Sequence, residues 1–205
     1  WLPLLCTMNC TVATELMRDL VGRSLDEFNN DINTIPPGSG GLLTIPFFNG
    51  ERTPNLPKGK ASLIGLTSQN CTPAYVLRSA VEGATYALRY GLDELTGLGL
   101  KVDKIILTGG GAKSHQWRQI VADIFQLPVQ ILKIEEGASY GAALQALWVL
   151  IRDSGSKIKL DTIITDHLAI DEEKSTLPNI ECKDLYRKGY SDYQNAVNQI
   201  TPLFE

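Results

Sequence analysis

Ile105-Ile106-Leu107-Thr108-Gly109-Gly110-Gly111-Ala112-Lys113-Ser114 is the stretch on which the reading of this sequence turns. A short apolar strand, expected over Lys104 to Leu107 and buried, runs into three consecutive glycines, and a helix follows from about Ser114 to Phe125. Glycine allows positive φ and lets a ligand approach without meeting a Cβ. The start of a helix offers unpaired N–H groups at the positive end of its dipole. Together these suit a phosphate or the polar face of a nucleotide, although a plain tight turn satisfies the same spacing. Two common phosphate motifs are excluded. A P-loop ending in Lys113-Ser114 needs glycine where Leu107 and Ala112 stand, and a GxGxxG fingerprint starting at Gly109 needs glycine where Ser114 stands.

Downstream, Val129 to Leu132 reads as a second strand. Ala138 to Ile151 reads as a helix whose small residues should let it approach its neighbours closely. Upstream, Thr72-Pro73 is a helix start with proline at the first helical position. Leu77, Val81, Ala84, Leu88, Leu92 and Leu95 then form one apolar stripe, ended by Gly97 and Gly99. Gly83 inside that helix costs about 1 kcal/mol against alanine, which implies that another backbone lies close to it. Leu42 to Phe48 and Ser62 to Thr67 read as strands, the first entered through the breaker cluster Pro36 to Gly41. Ser24 with Glu27 is a capping-box pattern. An earlier helix should start at Asn9 or Thr11, run toward Leu20 and stop at Gly22. Residues 1–8, WLPLLCTM, suit a buried strand. After Asp153 the chain reads as polar and irregular to Cys182. Tyr186, Tyr190, Tyr193, Val197, Ile200 and Phe204 then mark a terminal helix. Strands alternating with long helices define an α/β domain with a partly parallel sheet.

With 205 residues, 43% of them hydrophobic and 20% charged, the chain can bury an ordinary core. A net charge of −4 argues against a nucleic-acid partner. No run approaches the roughly 18 apolar residues of a membrane helix. Cys6, Cys10, Cys71 and Cys182 form no CxxC pair and read as reduced, buried thiols of a cytoplasmic protein. A start at Trp1, with neither methionine nor a basic leader, reads as the interior of a longer polypeptide.

Other chemical candidates are sparse. Glu51 and Arg52, adjacent in a glycine-proline loop after a strand, read as a surface ion pair worth under ~1 kcal/mol. His115 and His167 are the two histidines, and His115 reads as a solvated helix-start residue. No Ser/His/Asp set, metal cluster or pair of catalytic carboxylates assembles, so the sequence offers a binding surface without an evident base.

Pro46-Phe47-Phe48-Asn49-Gly50-Glu51-Arg52-Thr53-Pro54 resembles the P-x-x-x-G-E-R-[ST]-P loop of the FGGY carbohydrate kinases. Ala61 to Leu66 resembles the opening of that family's second signature and Ser79-Ala80-Val81-Glu82-Gly83 its close, with Tyr75 departing from the polar residue usual there. Gly109 to Ser114 with Trp117, Gln119, Ala122 and Asp123 is similar to the family's GGGAxSxxWxQxxAD stretch. Ser139 to Ala143 is similar to the helix start that follows it. The resemblance covers nearly the whole chain.

It implies an α/β, actin-like ATPase (ribonuclease H-like) fold, a mixed sheet flanked by helices, here without its first hairpin. The nucleotide-binding C-terminal domain would span 1–152, with 153–205 packing on it. The resemblance also implies ATP held at Gly109, Gly110, Gly111, Ala112, Lys113 and Ser114, with Ser68 and Gln69 near the adenine side. Magnesium, the sugar and the catalytic aspartate would lie mainly with another half of the protein, leaving this chain inactive alone. The expected sugar is D-xylulose, with gluconate, ribulose or another polyol as alternatives. A non-catalytic actin-like interaction module is the reading from a different class. A homodimer is the expected assembly.

Overall fold

The computed structural model describes residues 3–134 and 137–204. In chain order the elements are α1 (Thr11–Leu20), α2 (Leu25–Thr34), β1 (Leu43–Ile45), β2 (Ser62–Ile64), α3 (Pro73–Gly97), β3 (Ile105–Ile106), α4 (His115–Phe125), β4 (Val129–Gln130), α5 (Gly137–Asp153), α6 (Leu160–His167) and α7 (Lys183–Ile200). A 3-10 turn, Gly110–Lys113, joins β3 to α4.

The fold is arranged around α3, against which α1, α2, α4, α7 and β1 all pack. Its expected stripe is buried at Leu77, Val81 and Ala84 and only half-buried at Leu88, Leu92 and Leu95. Every residue from Leu77 to Ala87 is in fact buried, polar ones included. A helix enclosed on all sides cannot leave its polar groups to water, so each needs a partner inside the protein. The Arg78 Nε donates to Glu82 Oε1 at 3.0 Å, its Nη1 to Ile32 O at 2.7 Å and its Nη2 to Tyr186 Oη at 2.9 Å. Tyr186 Oη donates on to Glu82 Oε1 at 3.0 Å, and Ser39 Oγ to Glu82 Oε2 at 2.8 Å. This network ties α2, α3, α7 and the glycine-rich 36–41 segment together.

Gly83 meets the backbone approach that its position implied. A Cβ there would lie 2.1 Å from the Thr44 carbonyl oxygen, so only glycine lets β1 lie against α3. β1 and β2 pair antiparallel, with Thr44 opposite Leu63, and β3 and β4 pair parallel, with Ile105 opposite Val129. Among the described residues these are two separate two-stranded ladders.

The segment read as irregular is corrected twice: it contains the helix α6, whose Ile163 is buried, and it supplies a further strand pairing. Thr176 and Val129 exchange backbone hydrogen bonds of 2.8 and 2.9 Å, and Asp171 N donates to Ile131 O at 2.7 Å. The chain at 170–176 therefore runs antiparallel along β4. It carries no strand alternation, which is why the sequence hid it.

Four expectations are corrected. The apolar run at the start forms no strand over residues 3–8, where Leu4 is 80% exposed; Trp1 and Leu2 lie outside the described residues. β3 is not buried, because Ile106 stands 50% exposed. Cys6 and Cys71 are exposed rather than buried, while Cys10 and Cys182 are half-buried. In α5 only Leu144 is buried, so its small residues face outward instead of meeting neighbours.

The α1 start also differs. Cys10 is the N-cap without a side-chain bond, because Asn9 is engaged elsewhere. The Ser24–Glu27 capping box forms at α2 as its spacing implies, and the aromatic stripe of α7 is buried at Tyr186, Tyr190, Tyr193 and Val197.

Candidate functional site

The glycine turn leaves β3 at Gly109, whose φ of +90° is a conformation that favours glycine. The first hydrogen bonds of the turn run from Ala112 N to Gly109 O at 3.1 Å and from Ser114 N to Gly111 O at 3.2 Å. Gly110 and Gly111 therefore head the turn with amides that its own bonding cannot use. Ser114 is the N-cap of α4, its Oγ accepting from Trp117 N at 3.4 Å. Trp117 is buried below the turn. Its Nε1 donates to Thr85 Oγ1 at 3.2 Å on α3, and its ring would lie 3.0 Å from a Cβ on Gly111.

On the other side of Gly110 a Cβ would meet nothing within 4 Å. That open side is one wall of a cavity of about 680 Å³. The remaining walls are Thr11, Thr14, Glu15 and Arg18 of α1, Leu25, Phe28, Asn29, Asn30 and Asn33 of α2, and His115, Gln116 and Trp117 at the start of α4. Gln116 Nε2 donates to Asn33 Oδ1, linking α4 to α2 at the cavity edge. The volume falls within the roughly 300–1,000 Å³ of small-molecule sites. Mostly polar side chains around Leu25, Phe28 and Trp117, with two glycines and a helix N-terminus, line this small-molecule-sized cavity, and its free amides suit an anionic group.

Of the residues singled out in the sequence, Gly110, Gly111, Lys113 and Ser114 line this cavity. Gly109 and Ala112 instead line a smaller cavity of about 330 Å³ behind the turn, which Lys113 also borders, together with Leu107, Thr108 and Arg118. Ser68 and Gln69 lie exposed in the connection from β2 to α3 and are not among the residues lining either cavity. His115 is exposed at the first position of α4, as its place in sequence implied, and borders the larger cavity. His167 spends its Nδ1 on Ile163 O at 2.9 Å. The α1 and α2 walls went unread; the one trace in sequence is the run of asparagines at 29, 30 and 33, on the side of α2 away from Ile32.

The expected surface ion pair at Glu51 and Arg52 does not form. Glu51 is only 2% exposed, and its carboxylate accepts from Met8 N and Arg52 N at 2.7 Å each and from Asn9 Nδ2 at 3.2 Å. Carboxylates that collect backbone N–H groups fix loops strongly, and this one fastens the start of α1 to the 49–54 loop. The Arg52 side chain stays exposed.

Asp123, on α4, is buried and accepts from Asn179 N at 2.6 Å and Gln119 Nε2 at 2.8 Å. Burial raises its carboxyl above the usual range against the lowering effect of those bonds. Among the described residues no group of three or more His, Cys, Asp or Glu side chains is placed to hold a metal ion. What the cavity offers a ligand is the turn's free amides rather than a set of metal ligands, and no helix among the described residues is long and apolar enough to cross a membrane.

This chain belongs to the FGGY family of carbohydrate kinases. Residues 11–150 match the family's C-terminal domain. It is 38% identical over 200 residues to a xylulose kinase of Haemophilus influenzae, across 98% of this chain and 40% of that protein. It is 32% identical over 160 residues to a xylulose kinase of Escherichia coli, across 78% of this chain and 32% of the relative. Among solved structures, a ligand-bound xylulose kinase from Lactobacillus acidophilus superposes with a TM-score of 0.86 at 24% identity, over 97% of this chain and 39% of that one. Another, from Bifidobacterium adolescentis, gives 0.69 at 32% identity over 89% and 35%. The fold is thus the actin-like α/β type shared by these kinases. The chain spans about 40% or less of the length of the curated relatives it matches.

Proposed function

We propose that this chain is the ATP-binding part of a sugar kinase that transfers the γ-phosphoryl group of ATP to D-xylulose, giving D-xylulose 5-phosphate. The observation that carries the reading is the turn at Gly110 and Gly111 opening, with unused amides, onto a cavity whose other walls are α1, α2 and the N-terminus of α4. Relatives at 32–38% identity that are xylulose kinases support the choice of sugar.

The turn and the first residues of α4 hold and orient the nucleotide, and Trp117 keeps the turn in place from below. Magnesium, when bound with the nucleotide, would supply charge neutralisation. Its ligands, the sugar site and the carboxylate that accepts the hydroxyl proton are assigned outside residues 1–205, so the isolated chain contributes affinity and alignment without turnover. Domain 1–152 would carry the nucleotide and 153–205 would brace it through α7. The protein is read as cytoplasmic, and as a homodimer on the strength of its exposed apolar side chains on α1 and α5 and at Ile106.

The test is a coupled ADP-release assay of the complete gene product against D-xylulose, D-ribulose, gluconate and glycerol, with light scattering on the same sample. The highest kcat/KM is expected on D-xylulose. A preference for gluconate would move the sugar and keep the kinase. No phosphorylation together with no nucleotide binding would leave the interaction-module reading in its place.

A further inference from the structure

Arg118 stands in the second turn of α4, directly beneath the 3-10 turn, and is 6% exposed. Its Nη1 donates to Ala112 O at 2.8 Å and to Lys113 O at 3.2 Å. Its Nε is buried without a partner. Among the described residues its hydrogen-bond acceptors are therefore main-chain carbonyls, with no carboxylate to balance the charge. A buried guanidinium in that state carries a desolvation cost that two neutral acceptors do not cancel. Both bonds come from the one Nη1 amino group, which the rigid planar guanidinium aims at two successive carbonyls.

Because the C=O and N–H of a trans peptide point in opposite directions, fixing the carbonyls of Ala112 and Lys113 fixes both following peptide planes. The second of these contains Ser114 N, which closes the turn onto Gly111 O. The orientation of the Gly110–Gly111 face thus depends on a side chain that does not line the nucleotide cavity. The uncancelled charge has a second consequence. A cation held in a low-dielectric interior behind an anion-binding turn attracts an anionic ligand more strongly than a neutral one.

We propose that Arg118 is the positioning residue of the glycine turn, and that its buried charge biases the neighbouring cavity toward the phosphate-bearing part of the nucleotide. The proposal rests on the nucleotide reading above. The experiment measures ATP and adenosine binding to the complete gene product by calorimetry and by quenching of tryptophan emission, in wild type, Arg118→Met and Arg118→Lys. Arg118→Met should weaken ATP about tenfold more than it weakens adenosine. Arg118→Lys keeps the charge but loses the planar guanidinium that aims Nη1 at both carbonyls, so both ligands should weaken about threefold with the ATP-to-adenosine ratio held within about twofold. A folded Arg118→Met protein that binds ATP as the wild type does would overturn the proposal. If that variant does not fold, wild-type affinity for both ligands in Arg118→Lys overturns it instead. A change in melting temperature alone moves neither affinity nor ratio, which separates positioning from plain stability. Wild type binding neither ligand would be a failure of the nucleotide reading itself.

Discussion

The three glycines of the turn are glycine for different reasons. Gly109 needs its positive φ, Gly111 lies where a Cβ would press on the Trp117 ring, and Gly110 has neither constraint. A run of three glycines in sequence could not show which one faces the ligand. Gly110→Val therefore separates binding from folding: the side chain enters the open cavity without a backbone penalty. Its unfolding free energy should stay within the small range expected of a surface change, about 0.5 kcal/mol, while ATP affinity falls at least about tenfold. A variant that still binds ATP normally would place the nucleotide elsewhere. Glu51 teaches the opposite lesson. Adjacent to Arg52 in sequence, it read as half of a surface pair, but the fold turns its carboxylate inward to backbone amides donated from residues 8 and 52.

Asp123 gives a pH signature at the same scale. Its folded-state pKa lies above the ordinary carboxylate value because burial disfavours the charge. The folded protein therefore binds a proton that the unfolded chain has released, and stability from this group is full below the unfolded pKa and lost as pH rises through the folded one. Asp123→Asn keeps an oxygen acceptor for Asn179 N. Its urea-denaturation stability should lose that part of the decline with pH just above the usual carboxylate range. An unchanged slope would mean that Asp123 does not titrate there.

At the scale of elements, much was legible because the signals are local. The Ser24–Glu27 box, Pro73 at the first helical position and the tyrosines of α7 each act through neighbours three or four residues away, and each forms as its pattern implies. Gly83 was legible in a subtler way: glycine in a helix interior signals a close neighbour without naming it, and the neighbour is Thr44 of β1. Gly83→Ala should cost about 3 kcal/mol by forcing α3 and β1 apart. Denaturant unfolding checks this, and a loss under about 1 kcal/mol would mean that the strand can shift freely. The pairing of 170–176 with β4 and the exposure of β3 were not legible. Strand position depends on what runs alongside, and nothing within a strand states its partner.

Across the whole molecule, the buried Arg78–Glu82 pair holds together segments more than a hundred residues apart, from Ile32 O to Tyr186. Burial, and then the charge of Glu82, push the Tyr186 phenol far above its ordinary pKa, so it stays a neutral donor in that network. Arg78→Met leaves Glu82 buried and unbalanced, and should cost about 3–5 kcal/mol. Replacing both residues, Arg78→Met with Glu82→Leu, should cost less than the sum of the single changes. Additive losses in a double-mutant cycle would show that the pair is not coupled.

The sequence alone determined most of the helices, the Ser24–Glu27 cap, the glycine turn and, through the combination of motifs, the family, but not α6 or the cap of α1. What it determined is set by interactions between residues close along the chain or by residue types with few alternatives. Tertiary structure alone decided that the turn opens onto a cavity walled by α1 and α2. It also decided that Ser68 and Gln69 stand outside that cavity, and that Arg118 braces the turn from behind. Those outcomes depend on which distant surfaces meet, and the free energy of that meeting is spread over the whole core rather than written in any one segment.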